Sequence, residues 1–288
     1  MATIEKIYSV SALVGNGSCN ANCPFCAGKY LRPEIENNKL YDKNFESAVK
    51  LSARYGGWSL SLTSSGEATC DPEAVTHILK IYKKCADQGA YLPNVNLFTN
   101  GIKFGDKAFC KKYLPTWEEL GLNNIAISIH EPTEEGQAKI YGIKEYPKLE
   151  EIVENIEEYG LGVRGTLLLR KEGIDTPKKY KEAVNILISK GIDNITSWPV
   201  GNPDNTRNEF SPSRWNLFRI KWWLNQNAKV CHSHVWGGGV YDYQGNILRY
   251  TDYVTKHDPK KDFVRQLVVF QNKTVAYSWI REGALCMK

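Results

Sequence analysis

Cys19, Cys23 and Cys26 stand in the run Cys-Asn-Ala-Asn-Cys-Pro-Phe-Cys. Thiolates are soft ligands that select iron–sulfur clusters and zinc. Three of them on one short loop suffice for three irons of a four-iron cubane. The fourth iron then stays open to bind a further ligand directly, which makes such a loop a reactive site. A structural zinc site that borrows a distant fourth ligand would use the same donors. A disulfide is the weakest reading: cytosolic thiols stay reduced, and the chain opens Met-Ala-Thr-Ile-Glu-Lys, without the apolar run of a secretory signal.

A reactive loop needs a framework, and the chain supplies one by alternating short apolar runs with amphipathic ones. Strands are expected at Ile7–Val14, Trp58–Thr63, Asn94–Thr99, Asn124–His130, Val163–Leu169 and Ile195–Pro199. Helices are expected at Asn44–Tyr55, Pro72–Asp87, Pro147–Tyr159 and Pro177–Lys190. Asp71-Pro72 and Thr176-Pro177 read as an N-cap followed by proline at the first helical position, and Gly160 and Gly191 as stop signals. Strand and helix in repeated succession argue for an α/β fold with parallel strands and outer helices, as a barrel or part of one.

Barrel enzymes carry their chemistry at the C-terminal ends of the strands. The unusual residues of this chain fall there. The three cysteines follow the first strand and Ser64-Ser65-Gly66-Glu67 the second; Thr99-Asn100-Gly101 end the third, Ser128 and His130 the fourth, and Arg170 the fifth.

The spacing C-x3-C-x2-C, with aromatic Phe25 before its third cysteine, resembles the signature of the radical S-adenosylmethionine (SAM) enzymes. Ser65-Gly66-Glu67 resembles that family's Gly-Gly-Glu-Pro motif, matching at Gly66 and Glu67 and departing at Ser65 and Ala68. A helix N-terminal turn with a capping serine is the competing reading of that segment. Over about 200 residues the chain resembles the core of the molybdenum-cofactor cyclase and its relatives. The resemblance implies a partial (β/α)6 TIM-like barrel, a [4Fe-4S] cluster on Cys19, Cys23 and Cys26, and SAM as the second cofactor. It implies one-electron cleavage of SAM to methionine and a 5′-deoxyadenosyl radical, which abstracts hydrogen from an unactivated C–H bond. An external one-electron donor, flavodoxin- or ferredoxin-like, follows from that chemistry.

The resemblance also implies SAM contacts: Phe25 beside the cluster, Ser65, Gly66 and Glu67 toward the amino group, and Thr99 and Asn100 toward the ribose. Ser128 and His130 are inward polar candidates, although a lone histidine is more often structural. Arg164 and Arg170 flank Gly165–Leu169 on one strand face. Arg170, at the strand end, is the better placed to pair with the SAM carboxylate; the alternative is a surface ion pair with Glu158 or Glu172. No general acid–base pair is evident, and the first radical step needs none.

The chain has 288 residues, 42% hydrophobic and 24% charged, and no run of 18 apolar residues, so no membrane span and a cytoplasmic protein are expected. Net charge is +5, but residues 201–288 hold 13 Lys/Arg against 7 Asp/Glu, a net +6 that leaves −1 for the rest. That excess suits an anionic substrate such as a nucleotide, or equally a solvated surface. Without a tract of five basic residues, nucleic-acid binding has no positive support.

Periodicity changes after Pro199, so residues 1–200 are assigned to the radical SAM core and 201–288 to an extension closing the barrel. The extension is expected to contain a helix, Arg214–Gln226, and hairpins at Val240–Tyr253 and Phe263–Trp279 with turns at Gln244-Gly245-Asn246 and Gln271-Asn272-Lys273. Its aromatic residues, Trp215, Trp222, Trp223, Trp236, Tyr241, Tyr243, Tyr250 and Tyr253, either pack or stack on a base. Cys231, His232 and His234 could bind a second metal, although a tight C-x-x-H is weak evidence alone. Cys70, Cys85, Cys110, Cys231 and Cys286 lack the clustered spacing of an auxiliary iron–sulfur domain, which argues against the peptide-modifying branch. With a first strand expected within about ten residues of Met1, no leader-peptide-binding domain is expected ahead of it.

The leading expectation is radical SAM chemistry on a small anionic or nucleotide-like molecule. The first alternative is the same chemistry on a macromolecule, tRNA or a peptide or protein side chain. The second is a non-catalytic iron–sulfur or zinc module, against which the glycine–glutamate pair speaks.

Overall fold

The alternating pattern builds one βα series. It begins with β1 (Lys6–Ile7), β2 (Ser9–Leu13), α1 (Lys39–Arg54), β3 (Ser59–Thr63), α2 (Pro72–Asp87), β4 (Asn94–Thr99) and α3 (Lys107–Glu119). Then come β5 (Asn124–Ile129), α4 (Glu134–Tyr141), α5 (Leu149–Glu157), β6 (Gly162–Leu169), α6 (Pro177–Ser189), β7 (Asn194–Pro199) and α7 (Arg214–Asn227). Strands β8 (Lys229–Ser233), β9 (Gly239–Tyr243), β10 (Asn246–Tyr250), β11 (Phe263–Val264), β12 (Leu267–Val269), β13 (Val275–Ala276) and β14 (Leu285–Met287) complete the chain. The structure is a computed structural model and describes residues 4–31, 39–204, 206–251, 262–279 and 285–287.

Strands β2 to β7 pair in parallel in chain order, each with the next. Their helix-facing side chains, among them Leu60, Leu62, Leu97, Ile125, Ile127, Leu167, Leu169 and Ile195, are fully buried. The strand side chains between them turn to an inner face. This mostly parallel α/β sheet matches the expected class, and among the described residues its edges, β14 and β8, do not pair to close a barrel.

Both expected hairpins form, β9–β10 and β12–β13. They do more than cap the barrel. β10 pairs in parallel with β7 and β12 in parallel with β2, so the sheet runs β14-β13-β12-β2-β3-β4-β5-β6-β7-β10-β9-β8. Eight strands are therefore parallel, where six were expected. Leu248 and Tyr250 on β10, and Leu267 and Val269 on β12, bring the buried apolar side chains that a covered parallel strand requires. Tyr253 and the end of the first hairpin lie outside the described residues.

The expected helix starts hold. Asp71 Oδ1 accepts from the Ala74 N–H at 3.3 Å, and Thr176 Oγ1 from the Lys179 N–H at 3.4 Å. Two helices escaped the sequence pattern. Pro115 sits inside α3, where it breaks the period, and α4 has only eight residues. Its start is nevertheless written in Thr133, whose Oγ1 accepts from Gly136 N–H at 3.2 Å, and its end in Gly142 at φ +66°. Among the described residues no helix is long and apolar enough to cross a membrane.

Candidate functional site

A cavity of about 340 Å³ opens at the C-terminal ends of the strands, within the range of small-ligand sites. Cys19, Cys23, Phe25, Cys26, Gly66, Glu67, Thr99, Asn100, Ser128 and His130 all line it. Ser65 and Arg170, both expected in the site, are not in its wall.

Close backbone interlocking holds the cysteine loop against the loop after β3. A Cβ on Gly66 would stand 2.2 Å from the Ser18 carbonyl oxygen and 2.4 Å from that of Gly17, and one on Gly28 would stand 2.3 Å from the Ser65 carbonyl oxygen. Only glycine permits this approach. The Glu67 N–H donates to the Ser18 carbonyl at 2.8 Å, and the Asn22 N–H to the Tyr141 carbonyl at 2.8 Å.

The three thiols are free and half-buried. Burial, then the Cys26 and Cys19 thiols, pushes Cys23 up to about 12; burial leads the rise at Cys19. Thiols coupled this way ionise together only when a cation neutralises them, so the donor set fits a cationic cluster. Among the described residues no three His, Cys, Asp or Glu side chains converge on a single metal ion. At the other suggested metal site, Cys231 is exposed, the His232 and His234 rings meet edge-on at 5.0 Å, and His234 stacks on Trp236 at 4.8 Å.

Glu67 is the hub of the wall. Its Oε1 accepts from the Thr69 N–H at 3.0 Å, the Thr69 hydroxyl at 2.8 Å and the Thr99 hydroxyl at 2.7 Å, and its Oε2 from the Asn100 N–H at 2.7 Å. Four donors use most of a carboxylate's capacity and leave room only at Oε2. Thr99 and Asn100 are likewise committed. Thr99 Oγ1 accepts from the Gly101 N–H at 3.0 Å, Asn100 Oδ1 from the Ile102 N–H at 3.1 Å, and Asn100 Nδ2 donates to Asn20 Oδ1 at 2.7 Å. Both side chains therefore fasten the β4 end to Glu67 and to the cysteine loop, a bracing arrangement where ribose contacts were expected.

Ser65 and Arg170 are engaged with other partners as well. The Ser65 hydroxyl is buried and donates to Gln271 Oε1 at 3.0 Å, which ties the site to the β12–β13 turn. Arg170 pairs with Glu131 at 2.5 Å, neither with Glu158 nor with Glu172, and its guanidinium lies 5.8 Å from the Phe25 ring. It reaches the cavity only through Phe25, whose ring also meets His130 at 4.9 Å and Phe210 at 5.6 Å.

His130 is buried between Phe25 and Tyr141, and among the described residues its Nδ1 has no hydrogen-bond partner. Burial, reinforced by Arg170, lowers its pKa to about 3, so the ring is neutral at physiological pH. The unfolded chain protonates near pH 6.5 and the folded one only near 3, so stability is lost as pH falls below 6.5. Between pH 7 and pH 5 this group should contribute a loss of about 2 kcal/mol. Urea unfolding at both pH values checks it: His130→Gln should show a smaller pH difference than the wild type, and an equal one would contradict the assignment.

Sequence reasoning missed the supports behind the wall. Gln137 Oε1 accepts from the His130 N–H at 2.8 Å, and the Tyr141 and Tyr146 hydroxyls donate to the carbonyls of Ser128 (2.7 Å) and Asn100 (2.8 Å). It also missed the apolar wall of Phe98, Leu168, Trp198 and Val200. The α4 capping signal could have found the supports; the apolar wall has the residue types of ordinary core.

Compared by sequence, no curated protein matches the chain. By structure it is similar to Streptococcus suis SuiB bound to S-adenosylmethionine, at TM-score 0.62 and 11% identity, covering 99% of this chain and 64% of that one. It is similar to the same protein bound to precursor peptide SuiA, at TM-score 0.63, 12% identity and coverage of 97% and 62%. Native anSMEcpe with bound AdoMet and Cp18Cys peptide gives TM-score 0.53, 15% identity and coverage of 77% and 60%. The chain thus spans less than two thirds of the length of these proteins. The family model of the radical SAM superfamily matches residues 14–212. The chain therefore belongs to the radical SAM superfamily, whose members are enzymes using a [4Fe-4S] cluster and SAM and requiring an electron donor.

Proposed function

We propose that Cys19, Cys23 and Cys26 hold the [4Fe-4S] cluster, that SAM occupies the adjoining cavity, and that the enzyme abstracts hydrogen from a substrate carbon held inside the barrel. The observation that carries this reading is the convergence of all three thiols with Gly66 and Glu67 on one cavity at the strand ends. When bound, the cluster and SAM supply one-electron cleavage to methionine and a 5′-deoxyadenosyl radical.

The chain's own residues bind, orient and exclude water. Gly66 and Gly28 allow the two loops to touch, and Glu67, Thr99 and Asn100 fix their spacing. His130, neutral and with an unpartnered ring nitrogen, offers a hydrogen-bonding atom without competing for protons. Phe98, Leu168 and Trp198 form the apolar side that shields a radical from water. The electron comes from an external one-electron donor of flavodoxin or ferredoxin type. A small anionic molecule is the favoured substrate class, on the polar and cationic character of the barrel interior. A peptide is the second reading, favoured by the likeness to SuiB, which was solved with its precursor peptide.

Electron paramagnetic resonance of the anaerobically reconstituted, dithionite-reduced protein tests the arrangement. SAM should shift the spectrum of the reduced cluster. A spectrum unchanged at saturating SAM would contradict a cavity that adjoins an open iron.

A further inference from the structure

Below the cavity, the inner face of the sheet is polar and carries Arg164, Thr166, Thr196 and Arg249. β6 points Arg164, Thr166 and Leu168 inward, since the intervening Gly165 faces Ile129, Ile192 and Ile195 of the core. Leu168 lines the cavity. Arg164 lies four residues deeper, about 13 Å along the strand. In register, Arg249 of β10 stands beside Thr196 of β7, Thr196 beside Thr166, and Thr166 beside Ser128. Ala126 separates Arg164 from Phe98, and the guanidinium lies 5.4 Å from the Phe98 ring.

This layer is unsatisfied. Among the described residues, the buried Arg164 Nε, Thr166 Oγ1 and Thr196 Oγ1 have no hydrogen-bond partner, and Thr166 is only 1% exposed. Among the described residues neither Arg164 nor Arg249 has a carboxylate at ion-pair distance. Arg249 Nη1 donates to Asn194 Oδ1. The nearest acid by register, Asp242, faces Ile247 and is exposed, accepting from the Gly245 N–H at 2.8 Å. Burial and the Arg249 charge lower the Arg164 pKa to about 10, the response of a cation lacking its counter-ion. At the other end of the sheet, Trp236, after β8, meets Tyr8 at 4.8 Å, with the Arg265 guanidinium 5.3 Å from its ring.

A buried guanidinium N–H and idle hydroxyls each cost stability when unpaired, and an oxyanion is the acceptor such donors call for. We propose that Arg164, Arg249, Thr166 and Thr196 form a subsite for an oxyanionic group of the substrate, a carboxylate or a phosphate, which directs the rest of the molecule up toward the SAM cavity. This rests on the radical SAM reading above, because it places the reacting carbon next to that cavity. It makes the substrate a molecule with one anionic end and a body long enough to span roughly 13 Å, about four residues of strand rise.

The test titrates the reconstituted full chain, without SAM, with inorganic phosphate and separately with acetate, following the unfolding midpoint and the heat of binding. One of the two ions should raise the midpoint saturably, which also tells phosphate from carboxylate. Arg164→Gln and Arg249→Gln should abolish that rise, yet Arg164→Gln without ligand should melt no lower than the wild type. A structural arginine would instead lower it. Should Arg164→Gln not fold, Thr166→Val should weaken the same ion at least tenfold, the loss of one charge-assisted hydrogen bond. No saturable rise with either ion, or an equal rise in the variants, would overturn the subsite. Neither readout depends on SAM turnover. Absent anion binding with intact 5′-deoxyadenosine formation would refute the subsite alone, and the reverse would refute the radical SAM reading alone.

Discussion

Cys23→Ala is expected to abolish the iron–sulfur absorbance and 5′-deoxyadenosine formation while the far-ultraviolet dichroism stays that of the wild type. Cys23 is the middle thiol and the one most affected by the other two. Loss of a supporting partner outside a metal's ligand shell costs about 10–100-fold in affinity, so loss of a ligand costs at least that. The fold survives because the loop hangs on other contacts: Asn22 to Tyr141, Asn20 to Asn100 and Ser18 to Glu67. Cys70, half-buried near the same loop, is the control. Its replacement by alanine should leave iron and sulfide content unchanged, and equal loss in both variants would point to a different ligand set.

Glu67→Ala has the second large effect, on stability. The substitution strips the acceptor from two backbone N–H groups, of Thr69 and Asn100, and from the hydroxyls of Thr69 and Thr99. A buried donor left without a partner costs about 1–3 kcal/mol. The two N–H groups alone then predict a loss of about 2 kcal/mol or more by chemical denaturation. Glu67→Gln keeps the shape and one acceptor oxygen, and should lose clearly less. A Glu67→Ala protein as stable as the wild type would show that the carboxylate does not brace the strand ends.

The framework was legible in the chain because its signals are local. Pro72–Asp87 and Asn94–Thr99 form where cap, proline and alternation place them. The cysteine loop and Gly66-Glu67 were legible because few other chemistries need that spacing. What each polar residue does was not legible, since type and strand position do not reveal prior commitments. Thr99 and Asn100 stand at the cavity but spend their side chains on Glu67 and Asn20, and Arg170 spends its charge on Glu131, 39 residues away. Long-range partners of this kind follow from topology. The same holds for the hairpins: apolar runs and turn residues marked them as hairpins, but nothing local revealed that β10 and β12 would extend the parallel sheet from both edges.

The proposed function has three cysteines and their cavity perform reductive SAM cleavage. Its most direct test is 5′-deoxyadenosine formation by anaerobically reconstituted protein given dithionite and SAM, beside the Cys19/Cys23/Cys26→Ala triple variant. Product from the wild type and none from the variant is the predicted result. A wild-type protein that holds a full four-iron cluster and makes no 5′-deoxyadenosine would contradict it, as would zinc in place of iron.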